Sequence, residues 1–406
     1  MPASRPLPLL THRPRCGPET CRWKCGDECA AAPSNVSGNE PFADVVARGL
    51  SRRDFLRGIA ASVLVVGYGG MTATDAAAQT GDRAHAAGTT LRFEPIAPTN
   101  ADTVVVPRGY DHQVLIRWGD PLLEGAPEWD ADAQTGAAQA LQFGFNNDFV
   151  AYWPLRGSDE GLVWVNHEYT NPELMFHGYD GNNPTEEQVL VDIMAHGGSI
   201  VHVRPRRSAH FQVVRPSPYN RRITGTTPME ITGPARGHEL MRTNADPSGT
   251  EVLGMLNNCA GGTTPWGTVL TCEENFHQYF AHLAAADVPE RVRRMHQRVN
   301  IPNGQSQRKW ERFHERFDLR VEPHEPFRFG WVVEIDPYDP SYKPRKRTAL
   351  GRFKREGATT RLTADGRVAV YSGDDSQFEY LYKFVTAGRF DPDDMAANRD
   401  LLDEGT

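Results

Sequence analysis

Short apolar runs of roughly five residues, closed by Gly, Pro, Asn, Asp or Ser, recur through most of the chain. "GLVWVNHEYT", "GSIVHVRP", "HFQVV", "TEVLGMLNNC", "GTVLTCEENF", "FGWVVEIDP" and "GRVAVYSGDD" are predicted strands. In "TADGRVAVYSG" an Asp-Gly pair stands just before the strand, where a hairpin turn is expected. With no amphipathic helical pattern between the strands, the order predicts a mainly β sandwich, barrel or propeller. No clean period chooses among them. One stretch breaks the pattern: "DVPERVRRMHQRVNIPNGQSQRKWERFHERFDLR" is charged, with a helical run on each side of an Asn-Gly break. It predicts a helical insertion near 282–320, most simply with a solvated basic face, more pointedly with arginines leaning over an anionic site.

The chain's 406 residues allow a large core in one or two domains. With 44 Lys and Arg against 52 Asp and Glu it is mildly acidic, which gives no reason to expect a nucleic-acid partner. Its 37 Gly and 30 Pro belong to a turn-rich, mainly β protein. Near the N-terminus, "SRRDFLRG" carries paired arginines, and the apolar "IAASVLVVGYGG" that follows is too short to span a membrane. Small residues then lead to "DAAAQT", where cleavage after Ala78 fits. The order reads as a twin-arginine export signal, against the blander reading of a short core helix with a basic cap. The organisation expected is an extension at 1–50, a signal at 51–78 and a working domain at 79–406. The export machinery is then a partner, the location periplasmic or secreted, with no stable membrane anchor. Nothing argues for an oligomer, so a monomer is expected. Cys16, Cys21, Cys25 and Cys29 lie in the extension without a familiar metal spacing. Cys259 and Cys272 remain, and a disulfide between them rivals metal binding by either thiol.

The candidate chemistry sits in acid-rich clusters at strand ends: "VNHEYT", "CEENF", "VVEIDPYDP", "KREGA" and "SGDDSQFEY". Strand alternation puts Asn166 and Glu168 on one face, and Cys272 and Glu274 on one face with Glu273 opposite unless the strand has ended. Oxygen ligands suit Ca²⁺ or Mg²⁺, while a thiolate beside carboxylates suits a redox-capable metal such as iron. Each cluster also has a structural reading: Glu168 as a turn cap, Asp374 and Asp375 as an exposed turn, Glu334 and Asp336 as a strand running into a Pro-anchored loop.

In order, "WVNHEYTNPELMF", "AHGGSIVHV", "NNCAGGTTPWGTVLTCEENF", "GWVVEIDPYDP", "ALGRFKREGATT" and "VYSGDDSQFEYLYKFV" resemble the PhoX-type alkaline phosphatase family. So does the leader "APSNVSGNEPFADVVARGLSRRDFLRG". The resemblance implies an exported phosphomonoesterase, a β-propeller holding Fe³⁺ and Ca²⁺, that acts on small phosphomonoesters through a metal-bound oxygen nucleophile. It implies Glu273 and Glu356 as metal carboxylates, with Asn166, Glu168 and Glu274 as further ligands. It also implies one iron-binding cysteine, for which Cys272 is preferred and Cys259 stays open. Arg352 and Lys354 in "GRFKREGA" are the expected phosphate-holding groups. Arg355 stands where a histidine is common in the family. The family's proteins continue beyond Thr406, so a catalytically incomplete, calcium-binding propeller fragment is one alternative. A calcium-dependent propeller lactonase is another, disfavoured by the thiol.

Overall fold

A computed structural model describes residues 96–206 and 210–406. The expected extension, its four cysteines and the export signal lie outside the described residues. The chain divides into two compact units, one reaching to Val114 and one from Leu115 to Thr406. In the first, the described residues form only turns and irregular segments.

In the second unit, three sheets are present among the described residues. In the first, β1 (Asn147–Arg156), β2 (Glu160–His167), β3 (Gly197–Pro205) and β4 (Phe211–Val213) pair in chain order, and β5 (Arg221–Ile223) also pairs with β3. The second sheet has β6 (Pro228–Thr232), β7 (Glu251–Leu253), β8 (Asn258–Thr263), β9 (Val269–Glu273), β10 (Val332–Ile335) and β11 (Arg345–Arg347). Their spatial order is β7-β6-β11-β10-β9-β8, and β6–β11 is the parallel pair. The third sheet is the antiparallel set β12 (Arg355–Leu362), β13 (Arg367–Asp374) and β14 (Leu381–Arg389). Glu404–Thr406 add to the free edge of β14, where Thr406 N donates to Val385 O at 3.0 Å and Val385 N to Thr406 O at 2.7 Å.

The predicted strands are present, and the fold is mainly β. The Asp365-Gly366 pair closes the β12–β13 hairpin, with Gly366 at φ +84°, a conformation glycine adopts without cost. Strands β9 and β10 run through the interior, so both faces are buried. Val269, Val333 and Ile335 face the largest core, with Phe276, Phe280 and Phe329. Leu270, Cys272 and Val332 face a second core shared with Ala358, Val368, Val370 and Phe384 of the third sheet. Burying such side chains contributes about 1.5–3 kcal/mol each, which fixes the register of β9 and the faces its residues take.

Two helices qualify the sequence reading. The expectation of no interleaved amphipathic helix is corrected by α1 (Glu186–Ala195), capped by a reciprocal Thr185–Gln188 box and buried through Val189, Val191 and Ile193. The insertion begins as expected with α2 (Glu290–Arg298), but beyond Asn303-Gly304 there are only single 3₁₀ turns at Trp310–Arg312 and Glu315–Phe317. Trp310 and Phe317 are buried in the main core. The second half is thus held by burial of its aromatics rather than standing as a solvated helix.

Candidate metal centre

Five strand ends meet at one point. Asp148 comes from the start of β1, Glu168 from just past β2, Cys259 from β8, Glu274 from just past β9, and Glu356 from the start of β12. Ligand atoms of Asp148, Glu168 and Cys259 lie within 4.8 Å of one another, and so do those of Cys259, Glu274 and Glu356. The Cys259 thiol is shared by both groups, its sulfur lying 3.5 Å from Asp148 Oδ2 and from Glu356 Oε1 with one proton to give to either. Its direction has a local cause. The β8–β9 register shifts between Asn258 and Gly261, a bulge of the kind that re-aims side chains. Gly262 then allows β12 close, since a Cβ there would meet Ala358 O at 2.0 Å.

The cluster is electrostatically unfavourable without a cation. Burial, then the charge and hydrogen-bond contact of Asp148, push Glu168 up to about 7. Burial, then a hydrogen bond with Asp375 and the charges of Glu356 and Glu168, push Glu274 up to about 8. Burial and four surrounding carboxylates raise the Cys259 thiol as well. Crowded carboxylates of this kind repel one another unless a proton or a cation comes between them, and a metal ion would relieve that repulsion. Carboxylate oxygens around one thiol fit a hard cation on the oxygen side and iron at the sulfur. Lys354 is the adjoining cation: it feels Asp374, Glu274 and Asp375, and burial lowers its pKa.

The expected site residues divide. Glu168, Glu274 and Glu356 converge, joined by Cys259, the thiol left open in the sequence. Cys272 does not join them: it is 0% exposed in the apolar core between the second and third sheets, and burial pushes its thiol up to about 12. The reason is that β9 ends at Glu273, so Glu274 leaves the strand and no longer shares a face with Cys272. Neither cysteine is bridged. Glu273 is placed elsewhere too, paired with Lys346 Nζ at 2.8 Å and accepting from the backbone N–H of Leu256, Gly330 and Trp331 at 3.1–3.2 Å. Asn166 is buried and fully engaged. Its Oδ1 accepts from Trp164 Nε1 at 2.7 Å and Thr271 Oγ1 at 2.8 Å, and its Nδ2 donates to Cys259 O, so it steadies β8 beneath the thiol.

Arg352 and Lys354, whose spacing in the sequence predicts a common strand face near Glu356, instead precede β12, which begins at Arg355. Arg352 donates to Phe329 O and Pro326 O, both at 2.7 Å, and lies over Phe276 at 4.8 Å. It is a packing group there. Arg355 is buried against Phe353 at 3.9 Å and donates to Leu350 O and Gly351 O, facing away from the cluster. Glu334 is taken up by Arg347, Trp266 and Thr268. Asp148 is the ligand candidate that the sequence reading lacks, its signal being only an acid at the head of a strand. Asp375, in the candidate cluster "SGDDSQFEY", stands beside Glu274 and outside the two ligand groups.

Comparison with known proteins adds to this geometry. Residues 91–406 match the family described as alkaline phosphatase PhoX. The chain belongs to the PhoX family. A similar solved structure is Pseudomonas fluorescens PhoX in complex with vanadate, a transition state analogue, at 44% identity and a TM-score of 0.73. The match covers 77% of this chain and 54% of that one, so the chain spans about half the length of that relative. No curated protein matches it. The PhoX family is metal-dependent and its enzymes are exported. No helix among the described residues is long and apolar enough to cross a membrane.

Proposed function

We propose that this chain is an exported alkaline phosphatase that hydrolyses small phosphomonoesters, leaving by the twin-arginine route for the periplasm or the exterior and acting as a monomer. The carrying observation is the convergence of Asp148, Glu168, Cys259, Glu274 and Glu356, with Lys354 beside them. Cys259 would hold Fe³⁺, with Asp148, Glu168, Glu274 and Glu356 sharing Fe³⁺ and Ca²⁺. Cations there would supply charge neutralisation at the phosphoryl oxygens and lower the pKa of water that attacks phosphorus. The chain's own contribution is positional. Lys354, a buried side chain, offers its ammonium to a phosphate oxygen as a point charge, and the rigid ends of β8 and β12 fix the distance between thiol and Glu356. The neighbouring sheets, antiparallel apart from the β6–β11 pair, are read as blades of a β-propeller.

The testing experiment is metal analysis of the purified chain from Gln79 onward, together with hydrolysis of p-nitrophenyl phosphate before and after chelation. Bound iron and calcium with chelator-sensitive turnover is the expected result. Metal-free protein that still turns over, or metal-loaded protein that does not, would overturn the proposal.

A further inference from the structure

A cleft of about 420 Å³ opens beside Glu168, lined also by Asn257, Asn275, Gln278, Gln307 and Arg308. Its volume lies within the rough range of 300–1,000 Å³ for small-molecule sites. Because Glu168 belongs to both the cluster and the cleft wall, a phosphoryl group at the cluster would direct the rest of an ester toward this space. We propose that the cleft receives the alcohol half of the phosphate ester and selects polyhydroxylated alcohols, as in sugar and polyol phosphates. This rests on the phosphomonoesterase reading above.

The wall is held rigid from behind. Asn257 has left-handed backbone at φ +54°; its Oδ1 accepts from Asn275 N at 2.7 Å and its Nδ2 donates to Tyr279 OH at 3.3 Å. His196 Nε2 meets the same hydroxyl at 2.7 Å. Arg308 lies over the Tyr279 ring at 5.6 Å and donates through Nη1 to Thr170 O at 2.8 Å and Thr170 Oγ1 at 2.7 Å. Its charge faces Asp192 at 4.0 Å, so the cleft has little net attraction for a second anionic group.

The lining, by contrast, has hydrogen-bonding capacity to spare. The side-chain amides of Asn275, Gln278 and Gln307 bond to no other described residue, and Arg308 Nε is buried without an acceptor. An amide both donates and accepts, as a hydroxyl does. A polyol can satisfy the three amides, whereas an apolar alcohol would desolvate them without compensation, which is how a polar site rejects an analogue lacking its hydroxyls.

The test compares kcat/KM of the metal-loaded chain for myo-inositol 1-phosphate and for cyclohexyl phosphate, the same ring without hydroxyls. Taking the ratio in wild type and again in Gln278→Leu and Gln307→Leu cancels the intrinsic reactivity of the two esters. The inositol ester should be favoured in wild type. The ratio should fall roughly tenfold in Gln278→Leu, on the order of one or two hydrogen bonds, and by less in Gln307→Leu. Gln307 is exposed, so its variant keeps the test open if Gln278→Leu does not fold. Hydrolysis of both esters with a ratio that neither variant moves would overturn the cleft assignment and leave the phosphatase reading standing. If metal-loaded wild type hydrolyses neither ester nor p-nitrophenyl phosphate, both readings fall.

Discussion

Glu273 and Glu274 are adjacent in sequence, yet the structure sets them in opposite surroundings, and Ala substitution separates the two. Glu273→Ala leaves the backbone N–H groups of Leu256, Gly330 and Trp331 without their acceptor, and leaves Lys346 Nζ with Arg328 O but no counter-ion, in a spot where both partners of the ion pair are 0% exposed. Each buried N–H left unpaired costs about 1–3 kcal/mol, and breaking a buried ion pair from one side costs about 3–5 kcal/mol. The upper sum overshoots, because Lys346, whose pKa burial already pushes down to about 8, can shed its proton rather than stay charged. A loss of roughly 5 kcal/mol is expected, a large share of a typical domain's stability. Glu274→Ala instead removes one member of a repulsive carboxylate group, so the metal-free protein should keep its stability or gain up to about 1 kcal/mol while metal binding is lost. The assay pairs urea unfolding of the metal-free chain with iron and calcium content per folded molecule. The reasoning is refuted if Glu273→Ala unfolds at the wild-type urea midpoint while carrying less metal.

Three further outcomes follow from the same placements. Cys259→Ser should lower iron content with little change in metal-free unfolding, whereas Cys272→Ala should keep its iron and lose roughly 1–2 kcal/mol from the core, both read by metal analysis and denaturation. Lys354→Met should lower kcat/KM for p-nitrophenyl phosphate by about tenfold or more through loss of a charge-assisted contact, while Arg352→Met should chiefly lower the unfolding midpoint. Gly262→Ala, which sets a Cβ 2.0 Å from Ala358 O, should push β12 off β8, so that thermal stability and metal content fall together.

Runs such as "GRVAVYSGDD" were legible as strands because β-prone residues are closed by turn residues, and Asp365-Gly366 fixed a hairpin for a stereochemical reason, whereas β1, β6, β11, β12 and β14 and the order of the strands in the sheets gave no such local signal. The same rule did not find α1. Its capping signal, Thr185 three residues before Gln188, is local, but its apolar positions are too close to continuous to stand out from a buried strand. The second half of the insertion was misread for the opposite reason, since its charge hid Trp310 and Phe317, whose burial decides the local backbone.

At the site, what the sequence could offer was a set of ligand types rather than their directions. Alternation correctly separates Cys272 from Glu273 while β9 lasts, and it ceases to apply one residue later, where Glu274 turns toward the cluster. Cys259 has the reverse history: it lies within a strand, and a bulge sets aside the alternation that would otherwise govern it. A bulge depends on how two strands pair, and a strand's last residue depends on what its neighbours cover, so neither is written in a single run of residues. Both irregularities occur where carboxylates must crowd one thiol against their mutual repulsion. The regular part of the sheet supplies rigidity, and the proposed chemistry falls to the few residues at which its regularity ends.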